Sequence, residues 1–387
     1  MENNMSRLHI PKSFCTLANS LADRTKLKTE FFAQDDLLSN TGINKPLVFV
    51  LVDGMGECYL RELSSSSFLN SSKKQEMLSV FPSTTACAMM SLATGMPPAE
   101  HGVPGRYSYS KPNDIQINTL AFRDRFSGEL LTHQMQVENL WPKKSFIAQS
   151  EIPAYTVIPQ VLHKTLFEKY LCGNASTAGY TSVPDAVDKI IDKVNYHNSR
   201  AFYFLYLWEL DSLAHEVGTK GEGIHDLLLL LDNELNRLRE KTKTLADMVI
   251  TADHGHINSG KTSIITAEHE LMTYLKTAPY GEPRAAQLQV LPDRLDEFEA
   301  YFNESFGKAF TLFQFIPENN IDKAAALFGS DSLSANAAGN FGNYLAVAKA
   351  ENLLIYTEGV PADAKINKGE HGGVLPDERL IPLIIPT

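Results

Sequence analysis

The side chains in this sequence whose types and placement could do chemistry are Asp53, Asp211, Asp253, His215, His254 and His371. Asp53 follows the apolar run PLVFVLV (46–52). Asp211 follows AFYFLYLW (201–208) by way of Glu209 and Leu210, and Asp253-His254 follows DMVIT (247–251) and Ala252. His215 stands four residues after Asp211, on the same face if that segment is helical, and His371 sits among Gly369, Gly372 and Gly373. Taken singly, each has an ordinary reading. Asp53 suits a helix N-cap or turn, Asp211 and His215 suit a surface i,i+4 pair, Asp253-His254 suits a loop, and His371 suits a turn. Taken together, three acids and three imidazoles make two sets of N/O ligands of the kind zinc accepts. The lack of cysteine among them favours a catalytic metal site, with a coordination position open for water or substrate, over a structural zinc knot.

A nucleophile is the other requirement. Phe81-Pro-Ser-Thr-Thr85 presents three hydroxyls, with Thr85 at the start of a helix whose free N–H groups can hold an anion. The hydroxyls could equally be helix caps. A threonine hydroxyl is scarcely ionised at neutral pH, and coordination to a metal ion would remove that obstacle by stabilising the alkoxide.

The elements that must position these residues follow from the apolar pattern. Continuous apolar, β-branched runs at 46–52, 201–208 and 247–251 read as strands buried on both faces of a parallel sheet. Each runs into an acid or an imidazole, and in open α/β sheets the ligand crevice lies beyond the strands' carboxyl ends. Helices are expected over 85–94, closing at Gly95, and over 224–242, where leucines recur at helical spacing. Their alternation with strands argues for a sheet covered by helices. Between His254 and His371 the rhythm is interrupted by a strand-like 285–291, a helix-like 292–306 and an Ala/Gly/Asn-rich stretch near 334–343. The expected organisation is an N-terminal extension packed on the core (1–40), a catalytic α/β domain (41–270 and 351–387) and an inserted cap (271–350). The final strand is expected over Leu380–Ile385.

Bulk properties narrow the function. A chain of 387 residues builds a large core unaided. With 35 basic against 46 acidic side chains its net charge is −11, which disfavours a nucleic-acid coat or a polybasic membrane surface as main partner. No signal-peptide core and no membrane-length apolar run stands in the sequence. The four cysteines (Cys15, Cys58, Cys87, Cys172) lie far apart, as free thiols in a reducing cytoplasm would. A cytoplasmic protein is the expectation.

The order Asp53-Gly; Phe81-Pro-Ser-Thr-Thr85; Thr94-Gly…His101-Gly; Asp211-x3-His215; Ala252-Asp253-His254-Gly; Gly369-Glu-His371-Gly-Gly resembles the alkaline phosphatase superfamily, and within it the type I phosphodiesterase/nucleotide pyrophosphatase branch. The resemblance spans 46–271 and 365–387. It implies a three-layer α/β/α sandwich with a mostly parallel sheet and an inserted cap, and a hydrolase of phosphodiester or phosphoanhydride bonds acting on a small phosphorylated or nucleotide substrate. It also implies two Zn²⁺ ions, with Mn²⁺ or another divalent ion as an alternative. Carried onto this chain, one ion falls to Asp53, Asp253 and His254 with Thr85 bridging as nucleophile. The other falls to Asp211, His215 and His371. A covalent phospho-threonine intermediate would follow.

Two departures from the branch's pattern bear on substrate. Ala86 follows the nucleophile where nucleotide-cleaving relatives often carry an aromatic residue, and His101-Gly-Val-Pro-Gly-Arg106-Tyr107 lacks the asparagine those relatives place after the His-Gly segment. An Arg106 reaching the site would favour a more anionic group, such as a terminal phosphate or phosphonate; an Arg106 pointing outward would be a surface arginine. The sequence admits both. Tyr107, Tyr155 and Trp208 could supply an aromatic wall, although core packing is the simpler reading of Trp208. His256 reads as a substrate contact, a support for a ligand or an exposed loop histidine, the last being simplest, and Arg284 as a residue of the cap. Cys87 does not begin the Cys-x-Pro-x-Arg signature of sulfatases, which argues against formylglycine chemistry. A catalytically silent binding protein on this scaffold is the rival of another class.

Overall fold

The computed structural model describes residues 13–26, 36–141, 143–197, 199–315, 325–330, 332–357 and 366–386. The strand Leu47–Val52 lies in the middle of a seven-stranded sheet and is buried along its whole length. It pairs in parallel with Phe202–Leu207 on one side and Asp247–Thr251 on the other, so Val52, Leu207 and Thr251 end at one edge. Burying each Val, Leu or Phe side chain of these strands is worth about 1.5–3 kcal/mol. That sum exceeds the several kcal/mol needed to hold an acid such as Asp53 out of water at the strand's end. Ala154–Pro159 and Ser176–Tyr180 extend the parallel array beyond Phe202–Leu207. On the other side Leu380–Ile384 enters antiparallel between Asp247–Thr251 and the edge strand Lys74–Leu78.

The two expected helices form with the boundaries read from the sequence. Thr85–Thr94 ends on Gly95, which adopts the left-handed conformation (φ 70°) that glycine takes without penalty. Ile224–Thr242 buries Leu228, Leu231, Leu235 and Leu238 on one stripe and packs against Val183–Tyr196. Phe14–Arg24, within the expected N-terminal extension, packs on Thr85–Thr94, and its Asn19 Nδ2 donates to Gly95 O at 2.9 Å. Residues 1–12 and 27–35 lie outside the described residues.

A second seven-stranded sheet is antiparallel throughout. Four of its strands come from 280–348, but Tyr107–Ser110, Ile115–Asn118 and Arg123–Asp124 supply the rest. The body beside the main domain is therefore not composed of 271–350 alone. Its strand Tyr344–Ala348 is buried on both faces: Tyr344, Ala346 and Ala348 join one cluster with Phe298, Phe302 and Phe310, while Leu345 and Val347 join another with Phe328 and Phe341. This two-sided burial follows the strand's period of two.

Arg284 locks the two bodies together. It is fully buried and grips Glu378 bidentately, Nε to Oε1 at 2.5 Å and Nη2 to Oε2 at 2.9 Å. Glu378 also accepts from the N–H groups of Gly373 and Leu375, just after His371. Removing one member strands a buried charge, so Arg284→Ala should cost about 3–5 kcal/mol of unfolding free energy, measured from the shift in urea-denaturation midpoint.

Candidate metal centre and nucleophile

The carboxyl edge of the main sheet gathers the six acids and imidazoles singled out in the sequence. Their ligand atoms, joined by those of a seventh residue, His256, form two groups, Asp53 with Asp253 and His254, and Asp211 with His215, His256 and His371. In the first group His254 Nε2 lies 3.3 Å from Asp53 Oδ1 and 3.4 Å from Asp253 Oδ2. In the second, Asp211 Oδ1 is approached by the Nε2 atoms of His256 (3.0 Å), His215 (3.4 Å) and His371 (3.6 Å). His254 Nε2 is 4.0 Å from the same oxygen, so the two groups adjoin.

Backbone carbonyls orient the imidazoles. Nδ1 of His215 meets Gly369 O at 2.8 Å, that of His371 meets Ser83 O at 3.0 Å, that of His254 meets Gly255 O at 3.1 Å, and that of His256 meets Gly54 O at 3.3 Å. A carbonyl can only accept, so in the neutral rings of His215, His254 and His371 Nδ1 carries the proton and Nε2 turns its lone pair inward, the arrangement that supports metal-bound histidines. His256 differs, because its Nε2 also faces an acceptor, Asp211 Oδ1, at 3.0 Å. Burial holds His254 below the ordinary imidazole range. Burial and the neighbouring charges of His254 and His215 hold His371 well below it, so both are neutral at neutral pH. Asp253 Oδ1 accepts from the N–H groups of Gly54 and His254, while its buried Oδ2 has no hydrogen-bond donor. An orphaned buried carboxylate oxygen facing inward lone pairs fits a divalent cation, and an all N/O donor set suits zinc or manganese.

The carboxylates also show what such an arrangement costs without a cation. Burial, then the charges of Asp253 and Asp211, push Asp53 well above the usual carboxylate range. Asp211 is partly exposed, and although desolvation opposes its charge, the hydrogen bond from His256 and the imidazoles of His215, His256 and His371 hold it below that range. Tyr206 gives its hydroxyl hydrogen to Asp53 Oδ2.

Thr85 stands at the first group. Its hydroxyl lies 3.3 Å from Asp53 Oδ1 and 3.1 Å from His254 Nε2. The neighbouring Thr84 caps nothing, because its hydroxyl donates to Glu282 Oε1 at 2.7 Å. Glu282 belongs to the antiparallel sheet and also accepts the Arg106 N–H at 2.5 Å; burial pushes its carboxyl up to about 7. Arg106 itself is exposed at the mouth, and its charge is felt at His215, Glu370 and Glu282.

Tyr155 does not belong here, and the sequence expectation is corrected. It begins the strand Ala154–Pro159 opposite Tyr203, four residues or roughly 13 Å before the edge that carries the site. There its ring stacks on His197 and Tyr203. Tyr107 opens a strand of the second sheet, and its ring is covered by the guanidinium of Arg125 at 4.2 Å. His101 is a buried structural residue, bonded to Ser91 Oγ and Val103 N and pushed down to about 3 by burial.

Three contributors, Tyr206, Glu282 and Glu370, escaped the sequence reading, and the simplest reading of His256 is overturned. His256 is buried, not an exposed loop residue, and fits only because position 54 is glycine: a Cβ there would fall 2.3 Å from its Cε1. The His-Gly-His spacing was the available signal. Tyr206 was signalled by being a tyrosine in a fully buried strand, where its hydroxyl needs a partner. Glu282 and Glu370, both buried carboxyls, carried no local signal.

Comparison with known proteins follows the same lines. The profile of the type I phosphodiesterase/nucleotide pyrophosphatase family matches residues 47–299. The chain belongs to this family, within the alkaline phosphatase superfamily, and is a phosphoric-ester hydrolase by class. Among solved structures, murine ectonucleotide pyrophosphatase/phosphodiesterase 5 is 18% identical, with 88% of this chain and 87% of that one aligned at a TM-score of 0.63. The murine protein has also been solved as an inactive threonine-to-alanine variant in complex with AMP. Phosphonoacetate hydrolase from Sinorhizobium meliloti 1021, in complex with phosphonoacetate, is 16% identical over 88% of this chain and 90% of that one, at a TM-score of 0.62. At these identities the likeness is one of fold. A search of curated protein sequences finds no significant match.

The repulsion among Asp53, Asp211 and Asp253 yields a test. In metal-free protein, Asp53→Asn removes a buried carboxyl whose ionisation burial and its neighbours oppose, and should raise stability by about 1–2 kcal/mol. The gain in melting temperature that wild type shows on adding Zn²⁺ should shrink sharply in the same variant, as read by calorimetry with and without metal.

Proposed function

We propose that the protein hydrolyses phosphodiester or phosphoanhydride bonds through a phospho-threonine intermediate on Thr85, with two zinc ions, or manganese in their place, as cofactors. One ion would be held by Asp53, Asp253, His254 and Thr85, the other by Asp211, His215 and His371. Bound there, the metals supply positive charge that favours the Thr85 alkoxide and stabilises the departing oxygen. The observation that carries the reading is the position of Thr85 Oγ1, at 3.1 and 3.3 Å from two members of the first ligand group.

The chain's own residues account for the remaining work. The Thr85 hydroxyl lies where it can donate to Asp53 Oδ1, and Tyr206 steadies that carboxylate from its other oxygen. Attack by Thr85 Oγ1 forms the new P–O bond as the bond to the leaving oxygen breaks, and that oxygen leaves as an alcohol or phosphate. Water then attacks phosphorus from the opposite side, the P–Oγ1 bond breaks and Thr85 regains its proton. Two in-line displacements retain configuration at phosphorus. Thr85 is the first residue of the helix Thr85–Thr94, whose N-terminus has no side-chain cap, so the helix dipole there would favour the extra negative charge.

A second reading, phosphomonoester or phosphonate hydrolysis on the same scaffold, is favoured by one observation: the charge of Arg106 acts on His215 and Glu370 at the second group. A guanidinium there matches a dianionic terminal group better than a diester. The four cysteines are free, which supports a reducing compartment such as the cytoplasm. Among the described residues no helix is long and apolar enough to cross a membrane.

Metal-loaded protein should cleave bis(p-nitrophenyl) phosphate, and Thr85→Ala should lose at least about a thousandfold in kcat while retaining metal by elemental analysis. Retained turnover in that variant would mean that another group attacks phosphorus. Arg106→Ala should lower kcat/KM for p-nitrophenyl phosphate by roughly tenfold or more, and for the diester by less. A wild-type preference for the monoester above tenfold would select the second reading.

A further inference from the structure

A cavity of about 610 Å³ opens beside the nucleophile, and its wall includes Thr85 and Tyr206. We propose that this cavity takes the organic group of a substrate bearing a second anionic group, and that Arg123, Lys164 and Lys169 select for it. The inference rests on the hydrolase reading above and adds a substrate class to it.

The lining is of two kinds. Met89, Leu120, Leu162 and Phe167 give an apolar surface, contributed by the helix that follows Thr85 and by the segments around 120 and 162–169. Around it stand three exposed cations, Arg123, Lys164 and Lys169. Among the described residues none of the three forms an ion pair with a carboxylate. In a chain of net charge −11 three cations without an ion-pair partner around one cavity, one of them (Arg123) also donating to Gly128 O at 2.8 Å, raise the local potential for an anion. Arg106, whose charge acts on the second ligand group, does not line this cavity. The cations are therefore additional to the groups that meet the reacting phosphoryl.

The loop holds Lys164 in place. Its backbone is in the left-handed region (φ 68°), and its N–H donates to Glu168 Oε2 at 3.0 Å. Thr165 next to it caps the helix Leu166–Cys172, which carries Lys169, by accepting the Glu168 N–H at 3.1 Å. Two lysines are thus presented from one fixed turn and the helix it starts. The volume lies within the usual range of small-molecule sites and exceeds what a two-carbon acid would fill. The fitting class is a phosphoryl ester whose group is aliphatic near phosphorus and ends in a carboxylate or phosphate.

The test uses full-length, metal-loaded protein and three p-nitrophenyl hexyl phosphodiesters, with the far carbon of the hexyl chain ending in a carboxylate, a phosphate or a neutral amide. The expected result is a kcat/KM about tenfold higher for either anion than for the amide, declining toward equality as ionic strength rises to 1 M. Comparing substrates within each variant removes differences in folding. Lys164→Glu and Lys169→Glu should each bring the anion-to-amide ratio to one or below. Turnover of all three esters with equal kcat/KM, or a ratio unchanged in both variants, overturns this inference alone. No turnover of any ester overturns the hydrolase reading and this inference with it.

Discussion

Three carboxylates, Asp53 and Asp253 buried and Asp211 half-buried, sit within reach of one set of imidazoles, and the rest of the architecture answers to that concentration of charge. A buried carboxylate is tolerated only when paired, hydrogen-bonded or neutralised. Here the pairing is uneven. Asp211 is surrounded by imidazoles, Asp53 leans on two hydroxyls, those of Tyr206 and Thr85, and Asp253 keeps one oxygen without a donor. The buried strands hold these groups in place by the apolar surface behind them. A site assembled this way is destabilised by its own charges until a cation enters, and is thereby tuned to hold one.

The second sheet is part of that assembly and not only a cover. Glu282 takes the hydroxyl hydrogen of Thr84, one residue before the proposed nucleophile, and the N–H of Arg106 at the mouth. Two residues further along the same hairpin, Arg284 grips Glu378, which in turn holds the chain just beyond His371. The nucleophile turn, the Arg106 loop and the segment bearing His371 are thus tied to one hairpin of the antiparallel sheet. A small shift of that hairpin would move all three together, so geometry at the reacting centre is set partly by residues that touch no ligand group.

Most of the site was legible because it obeys a local rule: a long apolar run, then an acid or imidazole where the strand meets the crevice. Asp53, Asp211, Asp253 and His254 follow it, and Thr85 follows the equally local rule for a helix start. Tyr155 shows the limit of this reasoning. It lies beside an apolar run as well, but at the amino end of its strand, and composition does not distinguish a strand's two ends when the flanking loops are alike. His256, Glu282 and Arg284 were misread or missed for another reason. Their partners lie 45, 198 and 94 residues away in the chain, so the context that makes a buried charge acceptable exists only after folding. The second sheet was only half visible because three of its strands, two to four residues long, sit in the first third of the chain.

The placement of Leu380–Ile384 also has a bearing on how the protein is made. This strand lies between Asp247–Thr251 and Lys74–Leu78, so the edge strand has no partner in the main sheet until residues near 380 are available. His371 precedes it by only a few residues. During synthesis from the N-terminus, the flank of Asp247–Thr251 that Leu380–Ile384 will cover stays open while more than a hundred further residues emerge, and such unpaired strands invite association with other chains. The imidazole that completes the second ligand group and the strand that closes the sheet then arrive almost together. A ribosome-bound or truncated chain would hold its acids without the last ligand, and hydrolytic competence would appear only once the sheet can close.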